Sequence, residues 1–312
     1  MYKKWKQLLK YSLMLFPGLR IFIAKVELVF TASNSNIVLP SLEKLQSSNS
    51  LDQAKKLRYS NPNEFRYNLS VRNRVLKLSS FLQIEVLTDH SLARFGNQHD
   101  GGYVMIDDVR PEFGVISFGV GYDISWDVAL SALGCEVNIY DDSVDELPQE
   151  LAGGIFYKER IGFPANLSVT DTAKAVRRMP EREEFLLNCD IEGSEWELFS
   201  GIDERDLNKF NQIIVEFHSL SRILENDFYI RAINALSNIS KTHFVVNLHA
   251  NNFANLYIMG NCLLPDVVEV TWASKSKYGK DICSQILIDQ NSENTLSRPE
   301  ISLQFPVRTS LD

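Results

Sequence analysis

The residues with the types and spacing to do chemistry gather in short polar steps that follow apolar runs. Gly119 and Gly121 follow Val115–Phe118, Asp141 and Asp142 follow Val137–Tyr140, and Asp190 and Glu192 follow Phe185–Cys189. Glu216 and His218 stand at the end of Ile213–Phe217, and His249 and Asn251 just past Phe244–Leu248. Each of the last three pairs is spaced i, i+2, so both members face one way while the backbone stays extended. The glycines let backbone approach a ligand closely. An acid about 20 residues further on is placed to accept from ribose hydroxyls. A carboxylate-rich site suits a cationic ligand such as a sulfonium. His218 is the expected general base, because an imidazole of pKa about 6.5 suits proton removal near neutrality. Glu216 and Asp190 would orient it, with His249 in reserve. Each has a structural alternative: histidines at strand ends are often hydrogen-bonded structure, and an acid there is often a helix cap. An Asp/Glu/His set could also hold a divalent ion, but the spacing matches no metal motif and no metal is expected.

These steps need elements to position them. Val115 to Asp142 reads as strand, glycine turn, helix and strand, with Ile124, Val128, Ala129, Ala132 and Leu133 at helical spacing and Gly134 just past the last of them. This is one βαβ half of a doubly wound sheet. A dinucleotide fingerprint would place a third glycine where Ile124 stands. S-adenosylmethionine has no pyrophosphate and does not need that glycine, so it is the expected cofactor. Its expected contacts are Gly119, Gly121 and Asp141, with Ser117, Asp123, Asp142, Asp190 and Glu192 from the same turns. Asp100-Gly101-Gly102 joins two short strands in Arg94 to Asp107. Gly101 and Gly102 either make a hairpin turn or press a backbone edge against the cofactor. In the run after Cys189, Ser194 and Glu197 have capping-box spacing, and Glu195 falls in a first helical turn, where the dipole favours an acid.

After Asp142 strands and helices alternate: strand 155–160, helix 170–179, strand 185–189, helix 194–207, strand 213–217, helix 228–239, then strands 244–248 and 267–272. Alternation implies a mainly parallel sheet. The last two strands have too little between them for a helical crossover, so they should pair antiparallel. The fold expected is α/β: a Rossmann-like, doubly wound, seven-stranded sheet of the class I methyltransferase layout, with a helical N-terminal extension. The domain plan is an extension and linker over 1–90, with 53–90 mostly helical and broken at Asn61-Pro62-Asn63. The catalytic domain follows over 91–274 and a tail over 275–312 wraps the body.

The chain has 312 residues, is 45% apolar and carries a net charge of −8. That balance argues against a nucleic-acid partner, which needs a basic face. Cys135, Cys189, Cys262 and Cys283 form no CxxC pair and read as buried free thiols of a reducing, cytoplasmic compartment. The first 30 residues hold six Lys and Arg against one Glu, among apolar runs broken by Pro17 and Gly18. They are too interrupted to span a bilayer. They fit either peripheral contact with an anionic membrane surface or a helix docked on the body or on a second subunit.

The pieces DGGYV (100–104), SFGVGYDISWD (117–127), LGCEVNIYD (133–141), NCDIEGSEWEL (188–198), IIVEFH (213–218) and EVTW (269–272) together resemble the FkbM-type S-adenosylmethionine-dependent methyltransferases, in the methyltransferase-like branch. The likeness spans about residues 94–273. It implies a class I fold, S-adenosylmethionine, and O-methylation of a glycan or small-molecule hydroxyl. Ser117 departs from the general methyltransferase pattern, where an acid commonly stands, and Asp123 stands in place of a third glycine. Rival readings are an NAD- or nucleotide-sugar-dependent Rossmann enzyme, a glycosyltransferase using Asp141-Asp142, and a non-catalytic scaffold of the same fold.

Overall fold

Parallel strands buried on both faces read as continuous apolar runs, and the runs named above become the centre of the sheet. The computed structural model describes residues 62–162, 169–260, 262–279, 282–283, 291–292 and 294–295. The expectations for residues 1–30, for the linker and for most of the tail lie outside them. The chain forms α1 (Pro62–Ser79), β1 (Val86–Leu87), and a hairpin of β2 (Leu92–Phe95) and β3 (Tyr103–Ile106). Then come β4 (Gly114–Phe118), α2 (Ser125–Ala132), β5 (Glu136–Tyr140), β6 (Gly154–Tyr157), α3 (Thr172–Arg177) and β7 (Phe185–Cys189). There follow α4 (Glu195–Gly201), α5 (Glu204–Leu207), β8 (Phe210–Phe217), a 3-10 turn (Leu220–Leu224), α6 (Asn226–Thr242) and β9 (His243–Ala250). The chain continues through β10 (Leu256–Met259), β11 (Cys262–Pro265), β12 (Val268–Ser274), α7 (Lys275–Tyr278) and β13 (Ile282–Cys283).

The main sheet has the order β6-β5-β4-β7-β8-β12-β9. Numbered by their own sequence, its seven strands run 3-2-1-4-5-7-6. The first five pair in parallel. β12 slots between β8 and β9, antiparallel to both. This is the class I methyltransferase arrangement of a doubly wound Rossmann-like sheet. The step between the last two strands is not bare loop: β10 and β11 form a small antiparallel hairpin there.

Two helical layers cover the sheet. On one face Ile116, Leu187, Ile213 and Phe217 pack with Trp196 and Phe199 of α4, Leu236 and Ile239 of α6, and Val71 and Val75 of α1. Helix α1 thus belongs to the main core. On the other face Val115, Val137, Ile139 and Leu186 pack with Trp126 and Leu130 of α2 and with Tyr103 and Met105 of β3. The single helix expected over 194–207 is two. Ile202 turns extended after α4, and the Asp203 carboxylate accepts from Arg205 N (2.8 Å), capping α5 afresh. The third strand stops at Tyr157, and Glu159 turns to pair with Arg178 (2.7 Å). Cys135, Cys189 and Cys262 are free and buried. Among the described residues no helix is long and apolar enough to cross a membrane.

His243 opens β9 inside the core, its Nε2 donating to the Phe210 carbonyl (2.9 Å). Burial pushes its pKa down to about 4. The group is depressed in the fold, so its contribution is intact above the unfolded pKa of about 6.5 and is lost as pH falls toward 4. Between pH 7.5 and 5 this one group is expected to remove about 2 kcal/mol of stability. Urea unfolding of the wild type and of His243→Gln at both pH values measures it. Equal acid sensitivity of the two proteins would contradict the assignment.

Candidate functional site

β4, β5 and β7 end together, and a cleft of about 980 Å³ opens outside those ends. It lies where strand order reverses about β4, the place where open α/β sheets bind ligands. The turn after β4 forms one wall. Gly119 has φ +74°, and a Cβ there would lie 1.8 Å from the Asp190 carbonyl oxygen. The close approach that demands this glycine is therefore made by the chain itself, at the end of β7. Gly121 also has positive φ, but nothing lies within 4 Å of its Cβ position. It borders the cleft and leaves room for a ligand.

Asp141 serves this turn directly. One carboxylate oxygen accepts from Val120 N (2.9 Å) and Gly121 N (3.0 Å), and the other from the Ser143 N and Oγ (2.6 Å each). Burial opposes its charge, but the hydrogen bonds from Ser143, Val120 and Gly121 outweigh it and hold the carboxyl below its ordinary pKa. With its oxygens committed to the turn, Asp141 shapes the cleft, and the exposed Asp142 beside it is the acid left facing a ligand. Asp141→Ala is accordingly expected to lower stability by about 2 kcal/mol with no ligand present, the scale of lost hydrogen bonds to a charged group. Asp142→Ala should leave the urea midpoint unchanged and weaken cofactor binding. A drop in stability for Asp142→Ala with none for Asp141→Ala would reverse the two roles.

Gly101 and Gly102 fit as a hairpin turn. A Cβ on Gly101 would meet the Asp123 carboxyl at 2.5 Å, and one on Gly102 the Asn97 carbonyl oxygen at 1.9 Å. Gly101 still borders the cleft. Asp123 accepts from Ser125 N (2.7 Å) and from the Asn97 amide, tying the start of α2 to the hairpin. Ser117 is fully buried beneath the cleft and does not line it.

The second centre is an imidazole ringed by acids. His218 Nδ1 donates to Glu195 Oε1 (3.1 Å) and to the Glu216 carbonyl (3.0 Å). Its Nε2 faces Asp190 Oδ1 (3.7 Å), Glu192 Oε2 (3.6 Å) and Glu216 Oε1 (3.7 Å). Trp196 Nε1 fixes the His218 backbone by donating to its carbonyl (2.6 Å). Burial opposes the charged ring, but the bond to Glu195 and the charges of Asp190 and Glu192 overcome it and raise the pKa to about 9. At neutral pH the ring already holds its proton, which removes His218 from the role of free base. Burial lifts Asp190 to about 7, with His218 opposing and Glu195 and Glu192 adding. Glu216 is pushed well above its usual range by burial and by Asp190 and Glu269. The two described non-glycine residues with positive φ, Glu192 (55°) and Ser219 (63°), flank this ring. Such conformations cost roughly 1–3 kcal/mol each and gather at functional sites.

Glu195 lies in the first turn of its helix, as expected, but sequence reasoning missed its role in the site. The Ser194 hydroxyl makes no capping bond. Glu195, 0% exposed, instead braces the turn before the helix, accepting from Ile191 N (2.9 Å) and Gly193 N (3.1 Å) with the oxygen that also holds His218. The i, i+4 return from Glu195 to Ile191 was the available signal. His249 does not reach the cleft. It is buried in a row across three strands with Glu269 and Glu216, donating from Nδ1 to Glu269 Oε2 (3.1 Å), and Asn251 donates to Glu216 (2.8 Å).

Of the expected site residues, Gly101, Gly119, Gly121, Asp123, Asp141, Asp142, Asp190 and Glu192 line the cleft, whereas Gly102, Ser117, Glu216, His218 and His249 stand behind it. Asp100, Tyr103, Trp126, Asp127 and Asn188 line it as well. Asp127 is raised to about 7 by burial. Asn188 Oδ1 and Trp126 Nε1 are buried without a protein hydrogen-bond partner. Orphaned polar atoms on a cleft wall suit a site that a polar ligand completes.

No family model matches the chain, and no curated protein matches its sequence. Among solved structures it is similar to a chain of a fibrillarin/Nop5p complex, with 12% identity and a TM-score of 0.33, over 53% of this chain and 74% of that one. It is also similar to spermidine synthase from Thermotoga maritima, with 13% identity and a TM-score of 0.28, over 67% and 80% of the two chains. At those scores the likeness carries no argument, and the fold rests on strand order: the chain is an α/β protein with the sheet of a class I methyltransferase.

Proposed function

We propose that this protein is an S-adenosylmethionine-dependent O-methyltransferase acting on a hydroxyl of a glycan or small-molecule acceptor. The observation that carries the reading is the cleft at the switch point, with a glycine turn after β4, acids after β5 and a carboxylate cluster after β7. The FkbM-type motifs across residues 94–273 support it. When bound, S-adenosylmethionine supplies an electrophilic methyl group on a sulfonium.

The chain's own residues supply position and charge. Gly121 and Asp142 line the cleft and would face the ribose, and Asn188 and Trp126 offer an acceptor and a donor to the same cleft. The carboxylates of Asp100, Asp190 and Glu192 favour a cationic ligand over a neutral one. Asp190 borders the cleft, so its carboxylate is placed to take the acceptor hydroxyl proton. The His218 ring, held through Nδ1 by Glu195, stands beside that carboxylate.

Incubating the full chain with methyl-tritiated S-adenosylmethionine and a panel of sugars and polysaccharides tests the proposal. A methyl ether survives strong alkali, whereas a methyl ester does not. Alkali-stable label on a hydroxylated acceptor is the expected result. Label released by alkali, or found on amines alone, would overturn the O-methyl assignment.

A further inference from the structure

We propose that Asp190, Glu192 and His218 form a binding site for one divalent cation of the Mn2+ or Mg2+ kind at the edge of the cleft. This goes against the expectation drawn from sequence spacing, because the three donors meet through the fold. One oxygen of each carboxylate and one ring nitrogen lie within 4.8 Å of one another. His218 Nδ1 is committed to Glu195 and the Glu216 carbonyl, so Nε2 is the nitrogen that points into the gap, and the ion takes the place of the proton Nε2 otherwise carries. It stands 3.7 Å from Asp190 Oδ1 and 3.6 Å from Glu192 Oε2, beyond hydrogen-bond length. Two neighbouring donors on an octahedral ion at ~2.1 Å lie ~3.0 Å apart, so these side chains need close by only ~0.7 Å to hold one.

Independent observations point to a ligand at this place. Asp190 Oδ1, the oxygen facing Nε2, is buried and has no hydrogen-bond partner. Asn188, 4% exposed and two residues earlier on the same face of β7, borders the same cleft with its own Oδ1 unpartnered. Glu195, fully buried, orients the ring as carboxylates orient metal-binding histidines. Two carboxylates, an imidazole and an amide oxygen, with no thiolate, favour a hard ion.

The role given to the ion rests on the function proposed above; the site itself does not. An acceptor hydroxyl bonded to the ion gives its proton to the second oxygen of Asp190. The oxygen then forms its bond to the methyl carbon as the methyl–sulfur bond breaks, and the sulfonium leaves as a neutral thioether.

Mn2+ titration of the full-length chain, followed by electron paramagnetic resonance, tests the site. One Mn2+ per chain is expected, displaced by Mg2+, with nitrogen coupling from an imidazole ligand in the spin-echo spectrum of the wild type. Asp190→Asn and His218→Ala should weaken binding by about 10-fold or more, and Glu195→Gln by ~10–100-fold. The surface control Glu225→Gln should bind as the wild type does. Several weak equivalent sites, unchanged affinity in the Asp190 and His218 variants, or absent nitrogen coupling would each overturn the proposal. The coupling needs no variant and so stands even if a substitution unfolds the chain. Mn2+ binding without S-adenosylhomocysteine binding would leave the metal site and remove the methyltransferase reading; the converse would do the opposite.

Discussion

Gly119→Ala is expected to destabilise the protein by roughly 3 kcal/mol or more, the scale of a forced clash added to a left-handed backbone. The added Cβ would sit 1.8 Å from the Asp190 carbonyl oxygen at φ +74°. Neither partner can move cheaply. Gly119 N donates to the Tyr140 carbonyl (2.9 Å), and Asp190 N to the Phe118 carbonyl (2.8 Å), which continue the ladders of β5 and β7. Gly121→Ala is the matched control. Its Cβ meets nothing within 4 Å, so only backbone strain of about 1–2 kcal/mol applies, and the new methyl group intrudes on the ligand's space. Urea unfolding should therefore single out Gly119→Ala, while calorimetry on the folded Gly121→Ala should show weakened cofactor binding. An unaltered unfolding midpoint for Gly119→Ala would contradict the packing described for the two strand ends.

The second large effect is expected at Asp190. Asp190→Asn keeps the shape and removes both the charge and the proton acceptor, so turnover should fall by about 10²–10⁴-fold, the range for a lost general base. The stability of the variant should rise or stay level, because the wild-type carboxylate is buried among Glu195, Glu192 and Asp100. A fall in turnover with intact folding is thus the signature of chemistry. Turnover within about 3-fold of the wild type, well short of a lost catalytic base, would remove Asp190 from the reaction.

The parallel core was legible because its signal is local. Val115–Phe118 and Phe185–Cys189 are apolar runs bounded by glycine or acid, and they became β4 and β7 with ends shifted by a residue or none. Gly134 closes α2 with φ +93°, as its place in the pattern required. The cleft walls followed, since Asp141 and Asp190 each sit one residue past a strand, with Asp142 and Glu192 close behind. The roles within the site were less legible. Asp141 looked like a ribose ligand, but its partners are neighbouring backbone N–H groups and the Ser143 hydroxyl, which no spacing rule counts. His218 looked like a base because its pKa was taken from free imidazole. In the fold, burial opposes the charged ring, and Glu195 and Asp190, brought up from another segment, outweigh it and raise the pKa. His249 has the same i, i+2 spacing as the others, yet β12 inserts beside β9 and sets Glu269 against it. That insertion is a property of topology, carried by pairing between distant segments.

The most direct test of the central claim is calorimetric titration of the full chain with S-adenosylhomocysteine, with NAD and a UDP-sugar as competitors. The account predicts one S-adenosylhomocysteine per chain, weakened in Gly121→Ala and Asp142→Ala, and not displaced by either competitor. Tight binding of NAD or the UDP-sugar at this cleft, or no binding of S-adenosylhomocysteine by the folded protein, would contradict it.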